Sequence, residues 1–260
     1  LVSSSLSVLC DTVKGIGKGD FSSRSPLLTR DEFNELSIAI NQMAQGLEER
    51  ERLKVGFKRY VSQYALEELL KLDQPINLEG ERKKVTILFT DLRNFTKLSE
   101  HLPPEEVLKL LNEYYEEMIE VIFNYGGTLD KFIGDAGMFI FGAPLDMQGH
   151  EIKAYEAALD LMEDVQKVSD ELEAEGLPPI AVGVGINTGE AVVGNMGSET
   201  RFDYSAIGSA VNEAARLESA TKDRGVNILI GEETERFCGH YLKELDPIQV
   251  KGVSRPLKIF

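Results

Sequence analysis

The chain has 260 residues, 42% hydrophobic and 28% charged, the profile of an ordered globular protein with room for one sizeable core and a smaller module. Its formal net charge of -16 argues against a nucleic-acid partner, because a polyanion needs a basic footprint that this balance denies it. Two cysteines, Cys10 and Cys238, are too few for a disulfide framework or a structural zinc site and point to a reducing compartment.

No stretch approaches the length of a membrane span, and the chain opens Leu-Val-Ser-Ser-Ser rather than on Met, so a soluble fragment of a longer protein is expected. Apolar residues at Val2, Leu6, Leu9, Val13 and Ile16 make a narrow helical seam of the coiled-coil kind. Phe33, Leu36, Ile40, Met43 and Leu47 make a second. The polar, glycine-containing stretch from Gly15 to Pro26 reads as an extended connector, which lets the two helices run parallel. One pair of helices cannot bury both seams, so a dimeric four-helix bundle is expected.

Gly19-Asp20-Phe21, then Asp31-Glu32-Phe33-Asn34-Glu35-Leu36 and Asn41-Gln42-Met43, make this segment resemble a HAMP signalling domain. The resemblance covers residues 1–50. It implies a parallel helical module on the cytoplasmic side of the membrane in the full-length protein, relaying motion from an upstream transmembrane or sensor segment. From Leu47 the apolar period continues through Phe57, Tyr60 and Tyr64 to Leu70, and Asp73-Gln74-Pro75 ends it. Residues 51–80 are therefore expected to be a helical coupling segment.

Residues 81–260 alternate strand and helix. A β-branched and aromatic strand at Val85 to Phe89 precedes an amphipathic helix from Pro104 to Tyr125. A hairpin around Gly134-Asp135 follows, then a helix at Glu151 to Glu175 and a strand at Ile180 to Ile186. This is the βαββαβ order of a ferredoxin-like α/β (α+β) sheet. A helix at Val211 to Ala220, a strand at Val226 to Ile230, and strands at Gln249 to Lys251 and Pro256 to Phe260 are expected beyond it.

Asp91 ends the first strand and Asp135 sits in the hairpin turn. Singly, each reads as a cap or turn residue. If the first strand lies beside the hairpin, both carboxylates meet at one edge, where they could hold divalent metal against a polyphosphate. Asn212 and Arg216, four apart, share one helix face and can act on one ligand; Arg216 could equally pair with a neighbouring acid such as Glu213.

Phe-Thr-Asp91-Leu-Arg-Asn-Phe-Thr, Gly-Gly-Thr-Leu-Asp-Lys131-Phe-Ile-Gly-Asp135 and Ala206-Ile-Gly-Ser-Ala-Val-Asn212-Glu-Ala-Ala-Arg216, in that order, resemble a class III nucleotidyl cyclase. The resemblance implies that Asp91 and Asp135, with the backbone carbonyl of Leu92, hold two Mg²⁺ or Mn²⁺ ions. It gives Asn212 the ribose, Arg216 the charge developing on the α-phosphate, and Lys251 the terminal phosphates. Lys131 and Ser205 are implied to read the base: a lysine donor suits adenine N1, whereas a serine hydroxyl can donate or accept and discriminates weakly. ATP is thus the expected substrate, with cyclic AMP as product and active sites shared across a homodimer. A guanylate or mixed-specificity cyclase and a catalytically silent dimeric signalling domain are the alternatives. Ser205, Gly137 and Phe139 depart from the family's commoner choices.

Overall fold

The computed structural model describes residues 2–26, 32–57, 80–198, 201–239, 242–249 and 256–260. The chain divides into two units, Leu1–Arg59 and Tyr60–Phe260. Most of the coupling segment expected at residues 51–80, and Lys251, lie outside the described residues.

The first unit consists of α1 (Val2–Gly17) and α2 (Glu32–Phe57). Leu9, Ile16, Ile40 and Ala44 form a small core, with Phe21, Phe33 and Leu47 packed against it. The connector runs back along α2: Arg24 pairs with Glu48, and Ser25 meets Asn41 and Ser37. The end of α1 therefore lies level with the later part of α2, and the helices run parallel. Part of the seam is unfilled, since Leu6, Val13, Leu36 and Met43 are each 44% to 49% exposed.

The second unit follows the ferredoxin-like order. Its elements are β1 (Glu81–Arg93), α3 (Phe95–His101), α4 (Pro104–Asn124), β2 (Thr128–Ile133), β3 (Ala136–Phe141), α5 (His150–Ala174) and β4 (Ala181–Ser198). They continue as β5 (Arg201–Ile207), α6 (Ser209–Arg224), β6 (Ile228–Ile230), α7 (Glu232–Cys238), β7 (Leu245–Ile248) and β8 (Leu257–Ile259). The main sheet has the order β2-β3-β1-β4-β5, with β6 parallel to the first part of β4; β7 and β8 form a separate ribbon.

Alternation along β1 separates two cores. Leu88 and Leu92 face α4 and α5, where Met118, Ile122, Ala154 and Leu161 close the interior. Val85 and Ile87 face the opposite side with Ile140, Val193 and Tyr204, and Ala214 brings α6 onto it. Pro104 opens α4 at its first turn beside Glu105 and Glu106, where a missing N–H costs nothing and negative charge suits the helix dipole.

Several element bounds correct the sequence expectation. The strand expected to stop at Ile186 runs on to Ser198, because Gly183, Gly185 and Gly189 are strand residues rather than breaks. Residues 201–207 and 232–238, left without structure by the sequence, are β5 and α7. Leu245–Ile248, also left without structure by the sequence, pair with β8, and Val250 and Lys251 of the strand expected at Gln249 to Lys251 lie outside the described residues.

Gly185 shows why β4 carries glycine. A Cβ there would lie 2.1 Å from the Glu218 amide nitrogen and 2.3 Å from the Ala214 carbonyl oxygen, both on the backbone of α6. The helix thus rests directly on the strand. Gly185→Ala should push α6 off the sheet and cost about 3 kcal/mol, read as a melting temperature lower by roughly 6–12 °C. An unchanged melting temperature would show that α6 is not seated this closely.

Candidate active site

β1 and the β2–β3 turn bring the first two acids together. Thr90 pairs with Gly137, the second residue of β3, so Asp91 stands level with the turn that holds Asp135; it does not end the strand as expected, because β1 runs on to Arg93 against β4. Gly134 supplies the left-handed φ of 65° that the tight turn needs. The Asp91 carboxyl is raised above the usual carboxylate range, first by burial and next by the charge of Asp135; Lys222 and Arg93 oppose the rise. Two converging carboxylates, with the charge of one disfavouring that of Asp91, are a fitting oxygen donor set for a hard divalent cation. Leu92 buries its side chain in the core, 4% exposed, so only its backbone could serve such an ion.

Lys131 and Ser205 also meet. Lys131 Nζ donates to Ser205 Oγ at 3.4 Å, joining β2 to β5. Ser205 is buried and Lys131 is open to solvent, so a ligand would approach from the lysine side.

Asn212 and Arg216 project from the exposed face of α6, opposite Ala210, Ala214 and Leu217. Glu213, the acid that might have held Arg216, accepts instead from Asn187 Nδ2 at 2.9 Å. Among the described residues Arg216 makes no ion pair. It lines a groove of about 570 Å³ with Ser219, Asp223, Arg224 and Ile248, leaving a guanidinium free for an anionic ligand.

Residues 79–260 match the adenylate and guanylate cyclase catalytic domain, and residues 11–49 match the HAMP domain. The chain belongs to the adenylate and guanylate cyclase catalytic domain family. It is 32% identical to an adenylate cyclase of Anabaena cylindrica over 269 residues, covering 96% of this chain and 52% of that protein. The chain spans about half the length of the curated relatives it matches. Among solved structures it is similar to the guanylyl cyclase Cya2, at 40% identity and a TM-score of 0.63, covering 69% of this chain and 91% of that one. It is equally similar in sequence to the adenylyl cyclase CyaB from P. aeruginosa, at 40% identity and a TM-score of 0.66, covering 70% and 94%.

Within this cyclase domain, residues that the sequence did not single out support the site. The Tyr115 hydroxyl donates to the Gly134 carbonyl, and its ring stacks on Phe132 at 4.0 Å, bracing the turn that carries Asp135. Glu218 lies over β4 at Gly183, the register partner of Asp91. Burial pushes its carboxyl up to about 7, aided by the charge of Asp91 and then Asp135, while Ser219 and Arg93 pull it down. Asp130 lies beneath Lys131 and Ser205. None of these had a sequence signal beyond ordinary polarity; each is placed by a strand or helix distant in the chain. The departure at Gly137 and Phe139 resolves as one fitted pair, since a Cβ on Gly137 would lie 2.7 Å from the Phe139 ring. Phe139 itself is fully buried behind the turn.

Proposed function

We propose that the chain is the output portion of an adenylate cyclase that converts ATP to 3′,5′-cyclic AMP and pyrophosphate. The observation that carries this reading is the Lys131 ammonium standing beside the Ser205 hydroxyl at an open edge of the sheet. A lysine donor complements adenine N1, which accepts, and opposes guanine N1, which carries a proton. The reaction closes one bond and opens another: ribose O3′ attacks the α-phosphorus, the bond to the β-phosphate oxygen breaks, and the 3′ proton is released.

Asp91, Asp135 and the Leu92 carbonyl would hold two Mg²⁺ or Mn²⁺ ions, which supply Lewis-acid neutralisation of phosphate oxygens and acidify the 3′ hydroxyl when bound. Asn212 orients the ribose, and Arg216 meets the charge that grows on the α-phosphate. Lys251, outside the described residues, is assigned to the terminal phosphates.

The metal acids and Arg216 belong to different sites of a homodimer. Glu218 turns towards Asp91, and Arg216, two residues away, points about 200° around the same helix. Arg216 therefore serves a nucleotide held by the acids of a second chain. Exposed Ile207, at 64%, and Val192, its partner across β4 and β5, offer apolar surface to such a copy.

Residues 1–50 are assigned to the HAMP module, 51–80 to a helical coupling segment and 81–260 to the catalytic domain. The exposed half-seam of α1 and α2 fits a four-helix bundle in the same dimer. An upstream sensor would act through it from the membrane; among the described residues no helix is long and apolar enough to cross one.

Turnover of ATP and GTP by the purified chain with Mn²⁺ tests the reading. Cyclic AMP should form faster than cyclic GMP. A dimer that binds ATP but yields no cyclic nucleotide from either substrate would leave a silent signalling domain.

A further inference from the structure

The serine hydroxyl at the base site can in principle donate or accept, and the chain fixes which. Asp130 lies on β2 next to Lys131, with its side chain 0% exposed. Its Oδ2 accepts from the Ser205 hydroxyl at 2.6 Å and from the Ala206 amide at 3.4 Å. An oxygen that receives a backbone N–H is an acceptor, so the Ser205 hydroxyl donates to it. Asp130 Oδ1 lies 3.2 Å from Lys131 Nζ, in an ion pair rather than an aligned hydrogen bond. Burial raises the Asp130 carboxyl above the usual carboxylate range, while the Ser205 hydroxyl, that ammonium and the Ala206 amide oppose the rise and favour the acceptor-only form.

A serine has one proton and two lone pairs. With the proton spent on Asp130 and one lone pair facing Lys131, Ser205 has only acceptance left for a ligand. We propose that Asp130 is a specificity-positioning residue, which turns Ser205 into an obligate acceptor for the exocyclic amino group of adenine and so sets ATP above GTP. Guanine would place its O6, also an acceptor, against the same oxygen, and a buried pair of acceptors with no proton between them is penalised. This inference rests on Lys131 and Ser205 being the base-reading pair.

Asp130 touches no substrate; it acts through Ser205. Its test is therefore a preference rather than a rate. Binding of 3′-deoxy-ATP and 3′-deoxy-GTP with Mn²⁺, which needs no turnover, is measured by calorimetry for the whole chain, Asp130→Ala, Ser205→Ala and the double variant. Asp130→Ala should lower the adenine-over-guanine preference about tenfold by freeing the hydroxyl to donate to O6. In the Ser205→Ala background the same substitution should change the preference no further. An unchanged preference in a folded Asp130→Ala dimer, or an equal effect without Ser205, overturns the proposal.

If Asp130→Ala does not fold, the unaltered chain decides. Purine riboside triphosphate, which lacks the 6-amino group, should bind about tenfold more weakly than ATP, and Ser205→Ala should close the gap. Equal binding by the unaltered chain overturns the assignment. A chain that binds 3′-deoxy-ATP yet makes no cyclic AMP loses the catalytic reading while the preference is still measured. A chain that binds neither nucleotide loses both.

Discussion

Asp135→Ala should lower cyclic nucleotide formation about a thousandfold and leave the protein folded. Neutralising phosphate charge with a bound divalent ion contributes several kcal/mol to a phosphoryl-transfer transition state, and each 1.36 kcal/mol is a factor of ten in rate. Asp135 occupies the second position of a two-residue turn, and among the described residues its side chain makes no hydrogen bond or ion pair. The turn is shaped by Gly134 and braced by Tyr115, neither of which the substitution touches. Loss of rate without loss of fold therefore isolates the carboxylate. Melting with and without Mn²⁺ supplies the second reading: the unaltered chain should gain stability by mass action, about 2.7 kcal/mol at a hundredfold excess over Kd, and the variant should gain far less. A variant within tenfold of the unaltered rate would remove Asp135 from the metal site. Asp91→Ala should behave alike in rate, and it also removes a charge that holds Glu218 up.

Much of this arrangement was legible in the residues, for reasons that differ from element to element. β1 announced itself because Val85 to Phe89 is β-branched and aromatic, and α4 because Tyr114, Met118 and Ile122 recur at helical spacing. Gly134-Asp135 gave the hairpin. The full length of β4 was hidden because its glycines read as interruptions; their reason is the backbone of α6, which nothing local in β4 reveals. β5 carries Arg201, Asp203 and Ser205 at alternate positions, so its strand character comes from pairing with the second half of β4 rather than from its own composition. The site divides in the same way. Asp91, Asp135, Asn212 and Arg216 stand in short contiguous motifs, whereas Asp130, Tyr115 and Glu218 acquire their roles from partners on other elements. Asp130 is the plainest case: adjacent to Lys131 in sequence, it reads as one more surface acid until β5 is laid across it.

Arg216→Ala and Asp135→Ala, each crippled alone, should regain activity when co-expressed, to about one quarter of the unaltered level if subunits pair at random. Losing one donor at the transition-state charge costs about 2.7–4 kcal/mol, so Arg216→Ala alone should fall between about a hundredfold and a thousandfold. In a homodimer of either variant both sites are damaged. In a mixed dimer one site collects both lesions and the other none, which leaves half the sites in half the dimers intact. This outcome follows from the proposed division of the sites, in which α6 presents Glu218 towards the acids of its own chain while Arg216 stands on its exposed face for a nucleotide held by the other chain. Separate purification tags on the two variants let the mixed dimer be isolated and its rate compared with each parent. Activity no greater than the sum of the parents, from a verified mixed dimer, would place Arg216 and Asp135 in the same site and refute the shared arrangement.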